Sequence, residues 1–231
     1  MKVRPLLGIV LIGLLIVGQP SAKGRSELKI GELVYNFGHV GVDYDLVYRF
    51  PLANVGDTPV NILRTTSNCD CSRVYASDSV VAPGDTVYVN LTFNTRNFFG
   101  FTRHSFGVQT DDTKFSDIKV YYEAMIGQWI KGIQPDPLSL FFIPGKPAKA
   151  VTIANELFAS MKVSLLDQAD DVYKVSIVKA EAEQGEACEV EVRPLANITS
   201  GTYNSSFRLS VTVPGQEEAV VLTIPVKIVV Y

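Results

Sequence analysis

Apolar and polar residues alternate with a period of two along much of the chain beyond residue 27. The plainest case is residues 86–93: Val87, Val89, Leu91 and Phe93 fall on one side, Thr86, Tyr88, Asn90 and Thr92 on the other. Successive side chains of a strand point to opposite faces, so this pattern predicts a half-buried strand. Residues 45–52, 58–63 and 117–122 carry similar runs, and a last run spans residues 219–231. Turn-forming residues separate them: Asn54 to Asp57, Pro83-Gly84-Asp85 and Asp111-Asp112. No segment holds an apolar period of 3.6 over a useful length. The pattern predicts an all-β chain of short antiparallel strands folded as β-sandwiches.

The second half repeats the first at an offset of 101 residues. Ala53-Asn54 matches Ala154-Asn155, and Gly84 matches Gly185. Val89 matches Val190, Leu91 matches Val192, Gly100 matches Gly201, Phe106 matches Phe207, and Val120 matches Val221. A register kept without gaps over these positions predicts two copies of one sandwich. Residues 127–137, with two glycines and two prolines, break the strand pattern and mark the join. Trp129, the only tryptophan, lies there and is read as a residue wedged between domains.

The N-terminus reads as a secretory signal. Lys2 and Arg4 supply positive charge, residues 6–18 an apolar stretch, and Pro20-Ser21-Ala22 a small-residue exit. Cleavage is expected after Ala22, with a retained anchor as the alternative. The resulting division is a signal peptide at 1–22, a first sandwich at 23–127, a linker at 128–137 and a second sandwich at 138–231. Net charge is −3 over 231 residues. Without residues 1–22 the chain has 19 basic and 24 acidic residues, a net charge of −5. Such a chain lacks the basic footprint that phosphate backbones require, so no nucleic-acid partner is expected. No segment of the mature chain is expected to span a membrane.

Candidate chemistry is confined to a few residues. Cys69 and Cys71 flank Asp70, and Cys188 is the third cysteine. In an extended segment the Cα atoms of Cys69 and Cys71 would stand about 6.6 Å apart. That is near the upper end of the disulfide range of about 4.4–6.8 Å. A turn, favoured by Ser67, Asn68 and Asp70, would bring them closer. The pair reads as a structural cystine or loop-clamping thiols. Two alternatives are thiol–disulfide exchange and soft-metal binding, for which Cys69, Cys71 and His104 are the candidate ligands. Only Arg64 and Arg73 lie close enough in sequence to lower a thiol pKa. Cys188, in phase with Val190 and Val192, reads as a small core residue. With two histidines and no Gly-x-Ser-x-Gly elbow, no hydrolytic triad can be assembled. The acid pairs Asp43/Asp45, Asp111/Asp112 and Asp170/Asp171 read as solvated turn acids.

The first domain resembles a bacterial family of secreted, immunoglobulin-like domains of unknown function (domain of unknown function 1573), related to the major-sperm-protein and Hydin-type sandwiches. The resemblance is carried by Asn36-Phe37-Gly38, Phe50, and Asn54-Val55-Gly56-Asp57. It continues through Cys69-Asp70-Cys71-Ser72, where the family has Cys-Gly-Cys-Thr, and Pro83-Gly84. Phe93-Asn94-Thr95, Gly100 and Thr110-Asp111-Asp112 complete it. The resemblance implies an immunoglobulin-like sandwich exported to the periplasm or cell envelope of a bacterium. It implies no cofactor and no established chemistry. The expectation is a non-catalytic interaction or scaffold module whose partner is another envelope protein. A periplasmic assembly chaperone is a further alternative.

Overall fold

The computed structural model describes residues 25–143 and 147–231. The signal-peptide reading of residues 1–22 lies outside the described residues. Nine strands form the first sandwich: β1 (Leu28–Ile30), β2 (Val34–Val40), β3 (Asp45–Asn54), β4 (Val60–Ser67), β5 (Ser72–Ala76), β6 (Val80–Val81), β7 (Thr86–Asn94), β8 (Gly100–Thr110) and β9 (Asp117–Ile126). Among the described residues nine more form the second: β10 (Pro135–Asp136), β11 (Leu140–Phe142), β12 (Lys149–Ala154), β13 (Met161–Gln168), β14 (Tyr173–Lys179), β15 (Glu181–Ala182), β16 (Ala187–Pro194), β17 (Gly201–Thr212) and β18 (Val220–Val230). No helix among the described residues is long and apolar enough to cross a membrane.

Each sandwich has a four-stranded sheet, ordered β1-β3-β7-β5 in the first and β10-β12-β16-β14 in the second. The facing layers, β6-β4-β8-β9-β2 and β15-β13-β17-β18, are joined edge to edge through β2 and β18 into one ten-stranded sheet, with β11 pairing beside β18. Pairing is antiparallel except at β2–β9, β11–β18 and β18–β2. Alternation decides which residues turn inward: Val87, Val89, Leu91 and Phe93 are all buried. Across the layers, Phe50 on β3 meets Phe106 on β8 edge to face, with centroids 5.0 Å apart. Cys188 is fully buried in the second core, as its phase implied, and donates to the Ala180 carbonyl.

The 101-residue offset holds in the pairing register from β3 to β8. Ala53 pairs with Thr86 as Ala154 pairs with Ala187, and Ser67 with Phe106 as Gln168 with Phe207. It fails at the last strand. Phe106 pairs with Val120, but Phe207 pairs with Ile224, so the partner of Val120 is Ile224 and not Val221. The β17–β18 hairpin is longer than the β8–β9 hairpin in its turn and in both arms, which accounts for the slip.

The repeated asparagine is the clearest shared device. Asn54 is buried; its amide donates to the Thr58 and Val81 carbonyls at 2.8 and 2.9 Å, and its side-chain oxygen accepts from Gly56. Asn155 makes the same bonds to Ala159, Ala182 and Leu157. Each asparagine carbonyl also receives the N–H of the turn glycine, Gly84 or Gly185. Those glycines sit at φ +81° and +83°, the left-handed geometry that a type II turn demands. Asn54→Ala leaves buried carbonyls without donors and is expected to destabilise the first sandwich by about 2–3 kcal/mol. Asn155→Ala should do the same to the second, and urea denaturation of each variant checks both.

Several expectations about polar residues change. Asp112 is buried rather than solvated, with Oδ1 accepting from the Lys114 and Phe115 N–H groups. Asp170 is half-buried and pairs with Arg49 of the first sandwich at 2.9 Å. Burial raises its carboxyl pKa, and the Arg49 charge offsets part of the rise. Trp129 is partly buried against the second core, its ring 6.4 Å from that of His39.

The interface between the sandwiches centres on Arg208 of β17. Its Nε lies 3.1 Å from both carboxylate oxygens of Asp167, and its Nη1 donates to the Asn36 carbonyl at 2.6 Å. The guanidinium lies 3.8 Å above the Tyr35 ring, and the Tyr35 hydroxyl donates to Asp167. Burial drives the Tyr35 hydroxyl far above its ordinary pKa, so it stays a neutral donor. Ser206 exchanges bonds with the Val47 backbone, and Thr223 donates to the Phe37 carbonyl.

Candidate functional site

Cys69 and Cys71 lie where the chain crosses from β4, in the large sheet, to β5, in the four-stranded sheet. Asn68 fastens the start of the crossover to β8: its N–H donates to the Ser105 carbonyl, and its side-chain oxygen accepts from the Ser105 N–H. The Ser67 hydroxyl accepts from the Cys69 N–H. The Ser72 N–H returns to the Cys69 carbonyl at 3.1 Å and closes a four-residue turn. The Asn94 N–H then donates to the Cys71 carbonyl and sets the start of β5 against β7. The turn brings the cysteine Cα atoms to 5.1 Å, and the two sulfurs form a disulfide. Asp70 is exposed and has no positive φ; among the described residues only Asp43 is a non-glycine with that geometry. Aspartate therefore serves at the position where the family pattern has glycine.

His104 on β8 comes up beside this pair. Its ring packs among Phe93, Phe98 and Tyr122, with centroids 5.6, 5.2 and 5.8 Å away. A ring nitrogen of His104 and the two sulfurs all lie within 4.8 Å of one another. Its Nε2 is buried and has no hydrogen-bond partner. Burial lowers the imidazole pKa, favouring the neutral ring. Tyr122, whose hydroxyl shares a hydrogen bond with Ser72, is pushed up by its own burial.

The other candidates lie elsewhere. Arg64 donates to the Gln109 side chain at 2.7 Å, which directs its charge along the sheet. Arg73 is exposed on β5. His39 lies on β2, with Nδ1 2.7 Å from the Gln128 carbonyl. Cys69 and Cys71 are both half-buried. The group that sequence reasoning missed is the Arg208–Asp167–Tyr35 cluster, because nothing in the alternation of β17 shows that both of its faces are covered.

These sandwiches, with parallel β2–β9 and β11–β18 pairs beside antiparallel strands, define an immunoglobulin-like tandem. Residues 28–126 match the family model described as protein of unknown function (DUF1573), so the resemblance carried by the motif residues holds over the first sandwich. No curated protein matches the chain. Among solved structures, a protein of unknown function from Porphyromonas gingivalis W83 is 11% identical over 87% of this chain and 99% of its own, with a TM-score of 0.32. The PapD-like domain 7 of human CEP192 is 12% identical over 55% of this chain and 100% of its own, with a TM-score of 0.36. The Caenorhabditis elegans major-sperm-protein family member WR4 is 13% identical over 43% of this chain and 98% of its own, with a TM-score of 0.33. Strand order, rather than these low scores, defines the fold.

Proposed function

We propose that this chain is an exported, non-catalytic interaction module of the bacterial cell envelope that holds a partner protein against two rigidly coupled sandwiches. The observation that carries the reading is the coupling itself: a shared ten-stranded sheet, the Arg208 bond to the Asn36 carbonyl and the Arg49–Asp170 ion pair join one sandwich to the other. A scaffold needs contact surfaces at fixed spacing, and a rigid tandem offers two sets of them. Open strand edges suit such contacts, because their unpaired N–H and C=O groups accept a further strand. β5 and β14 are such edges, each with an exposed apolar side chain, Tyr75 and Val178. Val178 also occupies the bulge between Ile177 and Lys179. The signal-like residues 1–22 and the family of the first domain support export.

A photo-crosslinking amino acid at Tyr75 or at Val178 is expected to yield one discrete protein adduct in cells. The same group at Tyr88, on interior strand β7, should yield none. Equal adduct patterns from all three positions would count against the scaffold reading. Cys69→Ser should leave the adducts unchanged. Their loss in that variant would favour the second reading, thiol–disulfide exchange, which draws on the half-buried disulfide at the crossover.

A further inference from the structure

The two sandwiches solve the same crossover differently. By the 101-residue register, Cys69, Cys71 and His104 correspond to Asp170, Val172 and Ser205. In the second sandwich the Tyr173 hydroxyl bonds the Ser205 hydroxyl at 3.1 Å and the Ser206 carbonyl at 2.9 Å, which satisfies the buried polar groups there. The crossover therefore closes without sulfur or imidazole. In the first sandwich the corresponding space holds an imidazole whose buried Nε2 has no partner, with a ring nitrogen within 4.8 Å of two sulfurs. Leaving a buried polar nitrogen unpaired is costly. A fold requirement does not account for that cost, since the second sandwich avoids it.

From this constellation we infer that Cys69, Cys71 and His104 form a copper(I) site that the disulfide keeps closed and reduction opens. Opening is a dithiol exchange: a dithiol donor gives two electrons and two protons, the S–S bond breaks to two thiols, and the donor becomes a disulfide. Binding then displaces the two thiol protons, and two thiolates with one neutral imidazole hold the ion. The donor set selects the metal. Thiolates favour soft copper(I), which accepts low coordination numbers. Structural zinc takes four protein ligands, whereas three metal-ligating side chains converge here among the described residues. The geometry asks for little rearrangement. Asn68 pins the crossover to β8 beside His104, and Phe93, Phe98 and Tyr122 hold the ring. All three residues are half-buried rather than sealed in the core.

The test is a copper(I) titration of the full chain against a chromogenic copper(I) chelator without oxygen. Before titration the protein is reduced with a phosphine and desalted. Reduced protein should withdraw one equivalent of copper(I), and the disulfide form none. His104→Gln should weaken binding by about ten-fold or more, comparable to the loss seen when groups supporting a metal ligand are removed. Cys188→Ala should bind as the wild type does. X-ray absorption of the loaded protein should show two sulfur scatterers and one nitrogen. Unchanged affinity in His104→Gln, uptake by the disulfide form, or no competition with the chelator would overturn the site. Circular dichroism of each variant separates lost binding from lost fold. The scaffold reading does not depend on this outcome, because it stands or falls on the adducts at Tyr75 and Val178.

Discussion

Arg208→Ala is expected to loosen the two sandwiches from each other while leaving each one folded. The guanidinium is buried, pairs with Asp167, bonds the Asn36 carbonyl and covers the Tyr35 ring. Removing it leaves a carboxylate largely out of water without its cation. Breaking a buried ion pair costs about 3–5 kcal/mol, and the partial exposure of Asp167 places this one near the lower end; both partners lie in the second sandwich, so that loss weakens it, while the lost contacts to Asn36 and Tyr35 loosen the interface. Arg208→Lys should recover little, since an ammonium cannot satisfy a carboxylate and a carbonyl from one plane while stacking on a ring. Arg208→Met combined with Asp167→Leu should recover most of the loss, because apolar groups of similar volume leave no unpaired charge. Denaturation followed separately in each sandwich is the readout. The wild type should unfold in one transition and Arg208→Ala in two.

Gly38→Ala is the second large effect. Gly38 lies within β2 at φ +68°, a geometry that costs a non-glycine residue about 1–2 kcal/mol. A Cβ there would also run into the backbone carbonyl and the Cβ of Val221 on β18. The clash falls on backbone that cannot rotate away, so β2 and β18 must part, taking the Leu222–His39 pairing with them. Overpacking of this kind adds about 1–3 kcal/mol, for a total of about 2–5 kcal/mol. Gly84→Ala is the control: its φ is +81°, but nothing lies within 4 Å of a Cβ. It should lose only the conformational part, and thermal denaturation of the two variants should separate strain from collision.

Much of this fold could be read from the chain because strand alternation and turn residues are local signals. Val87 to Phe93 announce their strand without help from the rest of the molecule. The repeat was equally visible, since Asn54/Asn155 and Gly84/Gly185 serve identical turns. Matching Val120 to Val221 failed because a longer hairpin shifts the last strand, and composition does not measure hairpin length. The interface was not legible. Residues 205–211 of β17 are buried on both faces, although Ser206, Arg208 and Ser210 look like a solvent face. Their outer cover comes from Tyr35 and Val47, more than 150 residues away in sequence. The use of small serines beside an arginine was the one available hint of close approach. At the candidate site, the cysteines were conspicuous and His104 could be named. Its convergence with them depends on β8 passing under the crossover, a long-range fact.

The measurement that bears most directly on a rigid tandem is the distance distribution between spin labels on the two sandwiches. Non-cysteine labels placed at Tyr88 on β7 and Glu189 on β16, both exposed, would leave the disulfide untouched. One narrow distance in the wild type, broadened by Arg208→Ala, is the predicted result. A broad distribution in the wild type itself would contradict the fixed spacing on which the scaffold reading rests.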